Sequence, residues 1–254
     1  SRESGSADDA FSLTPSEFKQ MVESVRIVEK SIGNITYGGV KNEMEYAKQL
    51  YPQFQEKFNY LPFSIDTKFW NPNVEEKKDK QVLFIGNDEK RDFDFVKKLP
   101  KEMQDCKFIF ISKFINVEDF DALDNVTVIN GKWAENTLSD LELKEIYNKS
   151  SISIIPLIDS YQPSGQSVAL QSISMKVPTM ITKTKGFWDY EMFSDSKNIF
   201  FVNENSLDLW KEKIYKVLND PTTTNRVVKE AKSLVDEEYN LDVFYNKLKS
   251  LISN

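Results

Sequence analysis

The residues best suited to chemistry lie in Tyr161-Gln-Pro-Ser-Gly-Gln-Ser-Val-Ala-Leu-Gln-Ser-Ile-Ser-Met175. An apolar run, Ile152-Ser-Ile-Ile-Pro-Leu157, breaks into a polar turn carrying Ser164 and Gly165, and small and apolar residues follow at once. The order is strand, phosphate-sized turn, helix. In a parallel α/β sheet such a turn stands at the carboxyl end of a strand, where free N–H groups of the next helix attract an anion. Ser164 and Ser167 have the spacing of an N-cap and its third helical residue, and Gly165 removes a side chain at the closest approach. Ser164, Gly165, Gln166 and Ser167 are therefore expected to cradle phosphate. Gln171, further along the helix, either reaches a ribose hydroxyl with its amide or is a half-exposed helix residue.

Three more turns belong to the same rim. Gly86-Asn-Asp-Glu-Lys-Arg-Asp92 follows an apolar run; Gly86 allows close backbone approach, Lys90 and Arg91 can offset diphosphate charge, and Asp92 suits an N-cap. The same residues also fit an ordinary glycine-ended turn with solvated charges. In Asn130-Gly-Lys-Trp133, the backbone at Gly131 can hold the edge of a base, with Trp133 either stacking on it or buried in the core. Thr182-Lys-Thr-Lys-Gly-Phe-Trp-Asp189 brings Lys183 and Lys185 to that edge, and Phe187 and Trp188 can border a sugar. Lys185, Gly186 and Trp188 form the expected sugar side.

Composition narrows the chemistry further. The chain has 254 residues and no histidine, which removes Ser-His-Asp and Cys-His catalysis, a histidine base and histidine metal sites together. One cysteine, Cys106, excludes an internal disulfide and any multi-cysteine metal site. Lys and Arg number 33 against 40 Asp and Glu, a balance that argues against a general nucleic-acid binder. No apolar run approaches the roughly 20 residues of a membrane span, and Ser1–Ala10 is polar rather than signal-like, so a cytoplasmic protein is expected.

The elements that position these turns follow from periodicity. Thr14-Pro-Ser-Glu17 is a capping box opening an amphipathic helix through Val28, with Leu13 and Phe18 as its staple and Gly33 as its stop. A second amphipathic segment runs from Asn42 to Phe58, then a short strand with a polar exit over Asn59–Trp70, then a charged linker over Asn71–Lys80. From Gln81 the pattern alternates: strands at 81–86, 107–112, 126–129, 152–157, 179–182 and 198–202; helices at 93–99, 139–149, 166–175, 206–218, 224–235 and 240–252. Continuous β-branched and aromatic runs separated by helices predict an α/β fold with a doubly wound, Rossmann-like parallel sheet covered on both faces. The expected division is a helical extension over 1–40, a helix, strand and linker over 41–80, and a ligand-binding Rossmann-like domain over 81–254.

These residues carry a family resemblance. Residues from about 41 to 253 resemble the carboxyl-terminal, donor-binding half of the retaining GT-B glycosyltransferases that use nucleotide sugars. The matching stretches are Leu61-Pro-Phe-Ser-Ile-Asp66 with Phe69-Trp70, Phe84-Ile-Gly86 with Arg91, Leu141–Tyr147 before Ile154-Ile-Pro156, Gln162–Gln171 and Val177-Pro178. The resemblance implies hexosyl transfer from a nucleotide diphosphate sugar to a saccharide acceptor, as in polysaccharide biosynthesis, without a metal or other cofactor. By position, Gly86 and Arg91 would approach the diphosphate beside the 164–167 cradle. Gln171 stands where the family places the second glutamate of a paired-glutamate motif, and Pro163 falls at the first. The family also has an amino-terminal Rossmann-like domain, and only about 80 residues precede the first strand of this unit. The expected partner is therefore a separate amino-terminal GT-B domain; the alternative is a non-catalytic nucleotide-sugar-binding module.

Residues 8–40, chiefly Phe11–Gly33, are similar to the helix that follows the barrel in sialic-acid and pseudaminic-acid synthases. The barrel itself has no counterpart in the sequence, so a gene junction near Tyr37-Gly-Gly-Val40 is the expected explanation, and sialic-acid-type biosynthesis is the third reading.

Overall fold

A computed structural model describes residues 35–37, 41–72, 80–120, 123–130 and 138–252. Its central feature is a six-stranded, wholly parallel sheet with strand order β5-β4-β3-β6-β7-β8. The strands are β3 (Gln81–Ile85), β4 (Lys107–Ile111), β5 (Val126–Ile129), β6 (Ile152–Ile155), β7 (Thr179–Thr182) and β8 (Phe200–Val202). Between and after them lie α2 (Phe93–Val96), α3 (Leu99–Glu102), α4 (Asp140–Lys149), α5 (Gln166–Ser174), α6 (Leu207–Asn219), α7 (Pro221–Glu238) and α8 (Leu241–Ile252). This is the doubly wound α/β arrangement that the apolar runs predict.

Successive residues of a strand point to opposite faces, and both faces here are packed. Val82 and Phe84 join Phe108, Phe110, Ile154, Met180 and the Trp210 and Ile214 side chains of α6. Leu83 and Ile85 face the other way, toward Ile155, Ile181 and Val168, Ala169, Leu170 and Ile173 of α5. Each such side chain, fully buried, stabilises the fold by about 1.5–3 kcal/mol. Helix α5 lies close to the sheet because its inner face is small: Ser172 Oγ is 2.9 Å from Ser153 Oγ on β6 and 2.7 Å from the Val168 carbonyl.

Ahead of the sheet, β1 (Ile35–Tyr37) pairs in parallel with β2 (Phe58–Tyr60), and α1 (Lys41–Leu50) connects them with a 3-10 turn at Pro52–Lys57. The sequence gives no signal for β1, which is only three residues long. Lys41 ties this unit to the sheet domain through Asp189 at 3.1 Å and Glu191 at 2.9 Å.

Several boundaries differ from the periodic expectation. The helix expected at 93–99 is two single turns, α2 and α3, with Pro100 in the first turn of the second. Proline fixes φ and lacks an N–H, so it can open a turn but not continue one. Strand β6 stops at Ile155 because Pro156 has no N–H for the ladder; its carbonyl instead accepts from Asp92 N at 3.0 Å. Strand β8 begins at Phe200, not 198, since Asn198 spends its amide on Ser194 N and the Met192 carbonyl. Over 59–70 the strand ends at Tyr60; Asp66 then turns the chain by accepting from Lys68 N and Phe69 N. The capped helix expected over 14–28, the synthase-like stretch Phe11–Gly33 and linker residues 73–79 lie outside the described residues. No helix among the described residues is long and apolar enough to cross a membrane.

Candidate functional site

The strand order fixes where a ligand can sit. From β3 the chain winds outward through β4 and β5, then returns to the other side of β3 as β6. The helices that follow β3 and β6 therefore pack on opposite faces, and the turns that lead to them meet at the switch point, where such sheets bind ligands. The turn after β3 carries Gly86 and Arg91; the turn after β6 carries Ser164 to Ser167.

The structure brings four of the expected residues into direct contact. Arg91 is 1% exposed and lies beneath both turns. A Cβ on Gly86 would fall 2.6 Å from Arg91 Cγ, and a Cβ on Gly165 would fall 3.3 Å from Arg91 Nη1 and 2.7 Å from Ile155 Cγ2. Gly86 is thus required by the arginine's path and Gly165 by Ile155, and Gly165 also has φ +79°, the left-handed region that disfavours side chains. Backbone bonds lace the two turns together: Ile158 N donates to the Lys90 carbonyl at 2.8 Å, and Arg91 bridges Leu157 in antiparallel fashion.

Arg91 is committed to internal partners. Its Nε donates to the Ile85 carbonyl at 3.4 Å, and its Nη1 donates to Ser164 Oγ. Nη1 also lies 3.0 Å from Asp88 Oδ2, while Ser164 Oγ donates to Asp88 Oδ1 at 2.8 Å. Asp88 is the residue the sequence reading overlooks. Its only signal was an acidic side chain in a turn otherwise read for its cations.

Helix α5 opens differently from the serine-capped start that the spacing predicts. Gly165, not Ser164, is the N-cap, and no side chain caps the first turn. Ser164 is diverted because Asp88 and Arg91 engage its hydroxyl. Gln166 is buried, and its Nε2 has no hydrogen-bond partner within the protein. Ser167 is half-buried. Gln171 Oε1 accepts from Tyr147 Oη at 3.3 Å. Burial pushes the Tyr147 hydroxyl above the usual tyrosine range.

The turn after β7 places its residues on two levels. Lys185 is exposed: its backbone N donates to Asp159 Oδ1 at 3.0 Å, its Nζ is 3.4 Å from Asp159 Oδ2, and it stands 5.2 Å from the Tyr161 ring centre. Those contacts, the Lys185 backbone bond first, hold the Asp159 carboxyl below its usual range. A Cβ on Gly186 would meet the Gln162 carbonyl oxygen at 2.4 Å, so Gly186 is the point where this turn touches the 161–165 turn. Trp188 is not at the rim. It is 1% exposed, with its ring against Phe187 and Phe193 in the core. Gly131 and Trp133 lie outside the described residues.

Beside these turns, at the carboxyl ends of β6, β7 and β8, is a cavity of about 660 Å³ lined in part by Asp92, Asp159, Lys183, Lys185, Tyr190 and Asn205. Its floor is fixed by Asn205, which donates to Asp92 Oδ2 at 2.8 Å and to the Leu157 carbonyl at 2.9 Å. Asp92 also caps α2 by accepting from Phe95 N at 3.0 Å, as its position predicts. No group of three or more Cys, Asp or Glu residues among those described is arranged to hold a metal ion.

No protein-family model and no curated protein sequence matches the chain. Solved structures do. A glycosyltransferase from Rickettsia africae superposes with TM-score 0.71 at 12% identity, covering 95% of this chain and 67% of that one. HepE from Anabaena, solved in complex with UDP, gives 0.75 at 10% identity over 95% and 70%. The C-terminal domain of the group 1 glycosyl transferase LpcC from Francisella tularensis gives 0.55 at 16% identity, covering 70% of this chain and 99% of that domain. The chain thus has the fold of these glycosyltransferases and spans about two thirds of the first two. None of the three comparisons supports a synthase-like origin for residues 8–40.

Proposed function

We propose that the switch point formed by the β3 and β6 turns binds the diphosphate of a nucleotide sugar, and that the chain is the donor-binding part of a glycosyltransferase. The observation that carries this reading is the start of α5. A left-handed glycine opens the helix at the switch point of the sheet without a side-chain cap, and beside it the buried Gln166 Nε2 has no hydrogen-bond partner within the protein and can meet an acceptor. A phosphate oxygen is such an acceptor, and the helix dipole favours its charge.

In the proposed reaction an acceptor hydroxyl of a saccharide bonds to the anomeric carbon of a hexosyl unit as the bond to the diphosphate breaks. The electron pair leaves with the diphosphate, whose departing oxygen takes the acceptor's hydroxyl proton. The start of α5, Lys90 and Arg91 would stabilise that charge, which is how electrostatic catalysis lowers such a barrier. Gln171, Gly131 and Trp133 would serve the nucleoside, and Lys185 and Gly186 the sugar side. The acceptor-binding part would come from a separate amino-terminal GT-B domain, and a cytoplasmic setting fits the supply of such donors. A second reading, binding without turnover, is favoured by Pro163 at the rim, which offers no side-chain hydrogen bond there.

Isothermal titration with UDP-, GDP- and ADP-sugars tests the reading. Saturable binding to one of them, weakened in Gln166→Ala, is the expected result; no heat with any donor overturns it. Release of free nucleotide across a saccharide panel would separate turnover from binding alone.

A further inference from the structure

We infer that Asp88 is a resident competitor for the phosphate: its carboxylate occupies the anion seat made by Arg91 and Ser164, and a donor diphosphate binds by displacing it. This rests on the donor reading above for the identity of the ligand, but not for the existence of the seat.

The seat is recognisable by its donors. A buried guanidinium and a hydroxyl converge at the switch point, next to a helix start and under two glycines. Such a set suits a phosphate oxygen, which is an anionic acceptor. Asp88 meets both donors. Its Oδ1 accepts from Ser164 Oγ at 2.8 Å and from Lys90 N at 2.9 Å. Its Oδ2 lies 3.0 Å from Arg91 Nη1 but receives no directed hydrogen bond. The ion pair is therefore close in distance and poor in geometry, and a tetrahedral anion with more acceptor oxygens can satisfy the same donors better.

The consequence is selectivity. A ligand without phosphate gains nothing from the seat, since Asp88 already neutralises Arg91. A diphosphate offers enough charge and acceptors to exchange with the carboxylate, at the cost of sending Asp88 out to solvent. Removing the carboxylate while keeping its shape should leave an unfilled cation that an anion restores.

The test uses Asp88→Asn on the full chain with inorganic pyrophosphate as the probe, read by thermal unfolding, and with UDP-glucose, read by titration. Asp88→Asn should melt below wild type in buffer and recover with pyrophosphate, to which wild type responds little. UDP-glucose should bind the variant about tenfold tighter than wild type, a difference of about 1.4 kcal/mol. Equal pyrophosphate responses, or none in the variant, overturn the inference. If the variant responds to pyrophosphate and neither protein binds any nucleotide sugar, the seat stands and the donor reading falls. Should Asp88→Asn be unfolded in buffer, it is refolded from urea with and without pyrophosphate. Recovery only with the anion supports the inference, and failure in both overturns it.

Discussion

Replacing Gly186 with alanine tests how the β7 turn shapes the candidate site from behind. The added methyl would stand 2.4 Å from the Gln162 carbonyl oxygen and 2.7 Å from the carbonyl carbons of both Gln162 and Tyr161. All three atoms are backbone, so no side-chain rotation relieves the overlap. Ordinary contact needs about 1 Å more, and the 161–162 segment has to supply it. Gly186 does not have a positive φ, so the substitution acts through space alone and not through backbone strain. Overpacking of this kind costs about 1–3 kcal/mol. The displaced segment leads within three residues to Gly165, so the start of α5 should shift with it. Loss of one charge-assisted hydrogen bond to a bound anion would remove about 1.5–3 kcal/mol, or roughly tenfold or more in Kd. Urea unfolding measures the first effect and titration with UDP-glucose the second, with the exposed Lys229→Ala as a distant surface control. Gly186→Ala unfolding within about 0.5 kcal/mol of wild type would refute the close-approach argument, because that is the range of an ordinary surface change.

Four further predictions concern groups the fold has buried or half-buried. Arg91→Ala should cost about 3–5 kcal/mol in urea unfolding because Asp88 is left buried and unpaired, whereas Arg91→Met with Asp88→Leu should cost clearly less than the two single changes together; additive losses would show that the pair is not coupled. Burial, then the nearby Asp105 charge, pushes the Cys106 thiol up to about 11, so thiol reagents at pH 8 should modify the unfolded chain far faster than the folded one. Because that folded value lies above the unfolded one, ionisation of the thiol should begin to destabilise the fold only as pH rises through the ordinary thiol range, and a pH series of unfolding midpoints on wild type and Cys106→Ala checks it. Asn125 Nδ2 lies 3.0–3.2 Å from the carbonyls of Pro100, Met103 and Cys106; Asn125→Ala should lower stability by about 1–3 kcal/mol, with no change in ligand affinity.

Much of the architecture was legible because it depends on local rules. The β-branched and aromatic runs at 81–85, 107–111 and 179–182 can bury both faces, which makes them parallel strands, and the run at 126–129 adds a half-exposed edge. Ser139 and Glu142 announce the start of α4, and the capping box forms, with Ser139 N donating to Glu142 Oε2 at 2.8 Å. Gly86 and Gly165 are conspicuous in a chain with 8 glycines. Three-residue strands such as β1 lie below what any pattern can signal, because their pairing with β2 is decided by distant residues.

The site was legible as a place but not as a set of contacts. Spacing puts Gly86, Arg91 and Ser164 to Ser167 on strand-end turns, and the strand order brings those turns together. Spacing also made Ser164 a helix cap and Trp188 a sugar contact, and these depend on neighbours from elsewhere in the chain. Ser164 turns to Asp88, 76 residues away, and Trp188 turns inward against Phe193. What the sequence by itself determined is the α/β alternation and the turn chemistry, since both follow from periodicity and from residues within one turn of each other. Only the tertiary structure decided that Arg91 is buried under two glycines with Asp88 in the seat beside it, because ion pairing and burial are set by distances that no local spacing contains.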